Sequence, residues 1–527
     1  MQPSLIFTGG RLYTMNPHQP YASALAVQGA HILAVGDDAE ISALAGPHTR
    51  RISLAGRTLL PGFNDSHVHL WKVGMLLQQV NARPSEAPTL PALIRAFRAR
   101  AELTPPGEWI EGRGYDETRL PEARHPTRDE LDQASRAHPI VLGRTCGHII
   151  VANSRALELA GITANTPDPP GGELDRDAHG VPTGVLRETA MALIRSIQPV
   201  PSEASLTRAV LEAGERCLRL GVTSIGEPGV DTRLVSLYQK LDHEGRLPLR
   251  CDVMAMTTSP SGERCPPPTC WSGSRAKVDT CKLFSDGGLS GGTAALSIPY
   301  RGRHDCGLPR FSPAQLQEEV ARVYHAGVSV AVHSIGDYAI DLVLSAFEAC
   351  QRSSSAGPRL RIEHFGLPNA DQLRRAKALG VRVATQPSFL YDIGDSILRY
   401  LPETLVPQCY PFKAMLEAGL TVGFSSDGPV IADINPLLGL QSAHLRTTRS
   451  GRQLQPSEQV DVAQSLWCYT AGSAEVAGMG DRLGRLQPGY EADLVVLSGD
   501  PCAVSPEKLL ELRVDQTFVA GRCVFES

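Results

Sequence analysis

Three observations predict an α/β protein. Apolar, strand-like runs alternate with amphipathic stretches from about residue 61 to 470. Short strands recur near both chain ends, and polar residues stand at the ends of the central runs. For a chain of 527 residues, this pattern favours a (β/α)8, TIM-like barrel. A small β-sandwich domain built from both chain ends and an inserted lobe over the barrel mouth complete the expected architecture. The strands alone would also fit a doubly wound open sheet. Polar residues at the carboxyl ends of the runs, where barrel active sites lie, favour the barrel.

The elements follow in order. Leu5-Ile6-Phe7-Thr8, Arg11-Leu12-Tyr13-Thr14, Ala24-Leu25-Ala26-Val27, His31-Ile32-Leu33-Ala34-Val35 and Arg51-Ile52-Ser53-Leu54 read as short strands. Their spacing of roughly ten residues is that of a β-sandwich. Ala492-Asp493-Leu494-Val495-Val496-Leu497 and the run Val514 to Gly521 answer them at the other end. Residues 1–60 and 471–527 are therefore expected to form one domain, with the barrel, 61–470, inserted between them. Barrel strands are expected at Val222-Thr223-Ser224-Ile225, Lys282-Leu283-Phe284, Val328 to Val332, Arg361-Ile362-Glu363-His364, Val381 to Ala384 and Thr421 to Phe424. Ser312 to His325 and Pro411 to Ala418 read as intervening helices. Residues 75–205 are too long for one barrel connection and contain the turn-rich Asp168-Pro169-Pro170-Gly171-Gly172-Glu173. They form the expected lobe. Ser259 to Ser274, rich in Pro, Ser and Cys, reads as an irregular loop.

Composition narrows the function classes. The chain is 42% hydrophobic and 20% charged, with a formal net charge of -5 and both signs dispersed. That gives no electrostatic case for nucleic acid or an anionic membrane. No apolar run reaches the ~18 residues of a membrane helix, and the N-terminus lacks the pattern of a secretory signal. The 12 cysteines are scattered without a CxxC pair, so reduced thiols and a cytoplasmic setting are the default expectation. No stretch specifies a dimer face.

Chemistry begins at Leu59-Leu60-Pro61-Gly62-Phe63-Asn64-Asp65-Ser66-His67-Val68-His69-Leu70. Residues two apart on an extended strand share a face. His67 and His69 would thus offer two imidazoles side by side, a chelating arrangement suited to zinc and related metals. Four further positions extend the pair. Lys282 lies in Cys281-Lys282-Leu283-Phe284-Ser285-Asp286-Gly287-Gly288, and His333 and His364 each end a strand-like run. Asp427 follows Gly423-Phe424-Ser425-Ser426. Lys282 could instead be a barrel lysine paired with Asp286, and Asp427 could cap the turn through Gly428 and Pro429.

In these motifs the sequence resembles the metal-dependent amidohydrolase superfamily, and more closely its amidohydrolase-3 branch of YtcJ-like proteins. The resemblance covers nearly the whole chain. It includes Gly112-Arg113-Gly114-Tyr115-Asp116, Pro126-Thr127-Arg128-Asp129-Glu130-Leu131-Asp132, Gly147-His148, Gly180-Val181-Pro182-Thr183-Gly184 and the tail Gly484-Arg485-Leu486-Gln487-Pro488-Gly489. It implies that His67, His69 and Asp427 hold a first divalent ion and that His333 and His364 hold a second. It also implies that Lys282, carboxylated by carbon dioxide, bridges the two. An unmodified ammonium has no lone pair and could not bridge cations. Zinc suits the nitrogen-rich set, with iron, manganese or cobalt as alternatives. Such ions lower the pKa of a shared water and polarise a carbonyl, with Asp427 as general base and then acid.

The implied reaction is hydrolysis of a C–N bond in an N-acyl or N-formyl amide-like small molecule. A cyclic amide or imide, a carbamate or an ester would be served by the same centre. A non-catalytic metal-binding protein on this fold is a rival of another class. Trp71, Tyr115, Asp116, Arg144, His148 and Arg187 are the candidate pocket groups. His148 is read either as a substrate-side donor or as a structural histidine. Branch members commonly form oligomers, so a homo-oligomer is compatible with the resemblance.

Overall fold

The computed structural model describes residues 2–144, 149–258, 264–353 and 357–527. The chain divides into two compact units, Met1–Lys72 with Leu211–Ser527, and Val73–Val210.

In the first unit, eight parallel strands follow one another in chain order around a nearly closed barrel. They are Phe63–Asp65, Val222–Val230, Arg250–Met256, Ala276–Phe284, Ser329–Ser334, Leu360–His364, Arg382–Thr385 and Thr421–Phe424. Near the join, the Ser66 amide donates to the Phe424 carbonyl at 3.3 Å, and the Ser66 hydroxyl donates to the same oxygen at 3.1 Å. The strands are buried almost throughout, as parallel sheets covered by helices require. Those helices start where the sequence caps them. Ser312 caps Pro313–His325 in a capping box with Gln315, proline opens the first turn, and Leu316, Val320, Val323 and Tyr324 form its buried face. Asn369 and Gln372 repeat the device at Ala370–Ala378.

Arg250–Met256 is a barrel strand that the expected set lacked. Its charged residues broke the apolar pattern on which that set was built. Both are buried and paired. Arg250 donates to Asp493 at 2.6 and 3.1 Å and to Glu491 at 2.9 Å, while Asp252 faces Lys277 at 2.8 Å and Arg361 at 3.5 Å.

The chain ends build two sheets. One has four strands, ordered His31–Gly36, Ala24–Gln28, Leu5–Thr8, Arg50–Ser53. The other has six, ordered Arg522–Glu526, Val514–Val519, Leu494–Leu497, Thr58–Pro61, Arg11–Tyr13, Tyr21–Ala22. Leu5, Phe7, Leu25 and Val27 from the first sheet share one core with Leu59, Leu494, Val496 and Phe518 from the second. Phe7 and Phe518 meet edge to face at 5.1 Å. Leu494–Leu497 pairs antiparallel with Thr58–Pro61, and Arg250 links this domain to the barrel through its bonds to Asp493.

The second unit is organised on a mixed six-stranded sheet, ordered Gly172–Arg176, Pro182–Glu188, Ile149–Ala152, Ile140–Arg144, Ile110–Tyr115, Val80–Asn81. Side-chain alternation along one strand supplies two cores. Ile140 and Leu142 pack with Leu93, Phe97 and Val151, whereas Val141 packs with Ile150, Leu174 and Ile194. Among the described residues, no helix is long and apolar enough to cross a membrane.

Candidate metal centre

His67 and His69 are not on the strand where the sequence pattern places them. The strand ends at Asp65, and the pair occupies the extended bend before the helix Leu70–Leu77. Neighbouring strand ends hold this bend. Val68 donates to Gly226 O at 2.9 Å, His69 to Gly428 O at 2.8 Å, and Asp427 to His67 O at 2.8 Å. A Cβ on Gly226 would lie 2.1 Å from Ser66 O, so glycine is needed for this close approach. Glu227, wholly buried, accepts from the Trp71 amide at 3.3 Å and from the Tyr238 hydroxyl at 2.5 Å. It thereby caps the helix that leaves the bend.

The bend still brings the imidazoles together. His67 Nε2 and His69 Nε2 each lie 3.5 Å from Asp427 Oδ1. Ligand atoms of these three residues are all within 4.8 Å of one another. His333 lies inside its strand and His364 ends its own. Their ring centroids are 4.5 Å apart, and those of His364 and His67 are 4.9 Å apart. Asp427 lies three residues beyond its strand with φ 55°, and His364 has φ 71°. Such left-handed values in non-glycine residues cluster at functional sites.

Lys282 points into this group. Its Nζ is buried, makes no hydrogen bond among the described residues, and lies 4.2 Å from the centroid of the Phe284 ring. Pairing with Asp286 is not observed. The Asp286 carboxylate accepts instead from the amides of Ala295, Ile335 and Gly336 at 3.0, 3.1 and 2.8 Å.

Three of the four rings, those of His67, His364 and His333, are oriented from behind. His67 Nδ1 contacts the buried Glu363 carboxylate, which also receives Arg361. His364 Nδ1 bonds Gln386 Oε1 at 2.8 Å, and His333 Nε2 bonds Gly287 O at 3.0 Å. Sequence reading missed Glu363, Arg361, Gln386 and Asp65. Asp65 accepts from the Ser426 amide at 3.0 Å and from the Ser426 hydroxyl, fixing the segment that carries Asp427.

Burial sets the charge states. It drives His67, His69 and His364 well below the ordinary imidazole value, and His333 down to about 3. The rings are neutral and carry a lone pair, as metal ligation requires. Burial also pushes the Asp427 carboxyl up and pulls the Lys282 ammonium down. Asp427 Oδ1 and Lys282 Nζ are buried polar atoms without hydrogen-bond partners among the described residues, a costly arrangement in a protein interior. Four neutral imidazoles and the Asp427 carboxylate, with its unpartnered Oδ1, fit divalent metal ions as partners, and Lys282 could join them only once carboxylated.

Of the other candidates, Trp71 belongs to the first unit, and its buried Nε1 has no partner among the described residues. Tyr115, Asp116, Arg144 and Arg187 lie in the second unit. The Tyr115 hydroxyl is 3.0 Å from His125 Nδ1. Arg144 donates to Asp116 at 3.3 Å and to Glu117 at 2.6 and 3.0 Å. Arg187 forms a fork with Asp175 at 2.7 and 2.8 Å. Both arginine forks are thus engaged within the unit. His148 lies outside the described residues.

A parallel barrel with histidines and an aspartate gathered at the carboxyl ends of its strands defines a hydrolase of the metal-dependent amidohydrolase class. The chain belongs to the amidohydrolase family, which it matches over residues 50–525. It is 31% identical to YtcJ of Bacillus subtilis (strain 168), named as an amidohydrolase, with 99% of each chain covered. It is 29% identical to the N-substituted formamide deformylase of Arthrobacter pascens, covering 99% of this chain and 98% of that one. Among solved structures it resembles an uncharacterized metal-dependent hydrolase of Pyrococcus furiosus, with a TM-score of 0.77 and 29% identity. That match covers 94% of this chain and 99% of the other.

Proposed function

We propose that this chain hydrolyses the C–N bond of an N-acyl or N-formyl amide-like small molecule. The observation that carries the reading is the convergence of His67, His69 and Asp427 beside His333, His364 and the orphaned Lys282 amine. The similarity to a formamide deformylase supports the bond type.

His67, His69 and Asp427 would hold one divalent ion and His333 and His364 a second, with zinc the best fit to the donors. When bound, such ions acidify a water and polarise the substrate carbonyl. Lys282 would bridge them as a carbamate: its neutral amine attacks carbon dioxide, forms an N–C bond and releases one proton. Burial favours that neutral amine. Asp427 takes the proton of the attacking water and delivers it to the leaving nitrogen, so that the amine departs neutral. Burial raises its proton affinity, which suits this exchange. Phe389, stacked on His364 at 6.1 Å, and Phe284, 5.5 Å from His333, place apolar rings against the two histidines. The buried thiols of Cys217, Cys251, Cys281, Cys409 and Cys468 support a reducing, cytoplasmic setting.

The test is one panel containing an N-formyl amine, an N-acyl amine, a hydantoin, a carbamate and a lactone, run with wild type and Asp427→Asn. Turnover of the open-chain amides, reduced at least ~10²-fold in the variant, is expected. Exclusive turnover of the hydantoin or lactone would replace the proposed bond. Absence of turnover across the panel would favour a binding protein.

A further inference from the structure

We infer that the two halves of this centre bind their ions with unequal affinity, and that Glu363 behind His67 and Gln386 behind His364 set the difference. The inference rests on the proposed metal reading but concerns residues that do not touch the ions.

The groups behind the rings are chemically different. His67 Nδ1 faces a carboxylate that is fully buried, 0% exposed. Arg361 compensates that carboxylate, contacting Oε1 through Nε and Oε2 through Nη2 at 3.1 Å. Arg361 continues to Asp252 at 3.5 Å, and Asp252 to Lys277 at 2.8 Å, so the charges alternate in sign through the barrel interior. His364 Nδ1 faces a neutral amide at 2.8 Å, and Gln386 is itself held by its Nε2 donating to Ser425 Oγ at 3.0 Å. His333 Nε2 faces the Gly287 carbonyl at 3.0 Å. The Asp286 carboxylate lies farther away, at 3.4 Å, and already accepts three backbone amides.

A carboxylate behind an imidazole makes the ring a stronger donor and fixes its tautomer, whereas an amide or carbonyl fixes the tautomer with less added basicity. The His67 half also contains the carboxylate ligand Asp427, and its three ligand atoms already lie within 4.8 Å. The His333 and His364 half gains an anionic donor only once Lys282 is carboxylated. The His67, His69 and Asp427 half therefore loads first and empties last, and the weaker half depends on carbon dioxide.

The experiment is a zinc titration of the metal-stripped full chain against a competing fluorescent chelator, with bicarbonate present and no substrate. Wild type should bind in two resolved steps. In Glu363→Gln the tighter step should weaken by about 10–100-fold, with the weaker step unchanged. Gln386→Glu, which places a carboxylate behind His364 and leaves the buried Arg361 pair intact, should tighten the weaker step and narrow the gap. This second variant decides the matter if Glu363→Gln does not fold. Two equal steps in wild type, equal weakening of both steps in Glu363→Gln, or an unmoved weaker step in Gln386→Glu would overturn the inference. Absence of zinc binding would overturn the metal reading itself, and this inference with it.

Discussion

Replacing Gly226 with alanine should disturb the metal centre without removing any of its ligands. A Cβ at this position would lie 2.1 Å from Ser66 O and 2.8 Å from Ser66 C, while ordinary contact begins near 3.4 Å. The Ser66 carbonyl would have to retreat by about 1.3 Å, the difference between 3.4 and 2.1 Å. It cannot do so alone, because it accepts from Arg361 Nη2 at 2.6 Å and leads directly into His67. Overfilling a packed interior costs about 1–3 kcal/mol, and misplacing reacting groups by about 1 Å can cost about 10²-fold in rate. The expected outcome is a stability loss in that range by chemical denaturation, with weaker zinc retention against a chelator. Gly288→Ala is the control, since a Cβ there meets nothing within 4 Å. Gly226→Ala matching wild type in both stability and zinc retention would refute the claim that this close approach positions His67 and His69.

Two further outcomes follow from buried charges. Arg250→Met should cost about 3–5 kcal/mol, because it leaves Asp493, only 6% exposed, without its two guanidinium bonds; a denaturation midpoint equal to wild type would contradict this. Burial raises the Glu227 carboxyl from 4.5 to about 8, so the folded chain holds this proton more tightly than the unfolded chain. The resulting stability is complete below about pH 4.5 and is lost as pH rises through about 8. Glu227→Gln should flatten that part of a stability profile measured by denaturant titration between pH 5 and 8, and an unchanged slope would exclude Glu227 as its source.

Most of the barrel was legible because its parallel strands are buried on both faces and read as apolar runs. The helix at Pro313–His325 was legible from its spacing and bears an explicit capping box. Arg250–Met256 was not legible, since Arg250 and Asp252 interrupt the pattern; Asp493, which holds Arg250, lies 243 residues away in the chain, and Asp252 pairs with Lys277 on the neighbouring strand and with Arg361 farther round the barrel. The candidate site residues could be named from residue type and order, and the structure brings them together, but their backbone setting was not legible. His67 and His69 meet through a bend held by Gly226 and Gly428 rather than through strand alternation. The groups behind the ligands left a fainter trace. Arg361 and Glu363 stand two apart in a buried strand, and such alternating charges in an apolar context mark a polar network within a barrel. Gln386 and Asp65 carry no comparable signal, because their roles depend on three-dimensional proximity. The sheet of the second unit was also hidden, since its strands are short and partly antiparallel.

The most direct test of the bridged metal centre is metal content per chain, measured on the purified protein together with its intact mass under non-denaturing conditions. Two zinc-class ions and one added carbon dioxide are expected, with the added mass lost in Lys282→Arg. One ion without the adduct would contradict the bridging role of Lys282. No metal, even after reconstitution with zinc and bicarbonate, would contradict the catalytic centre as a whole.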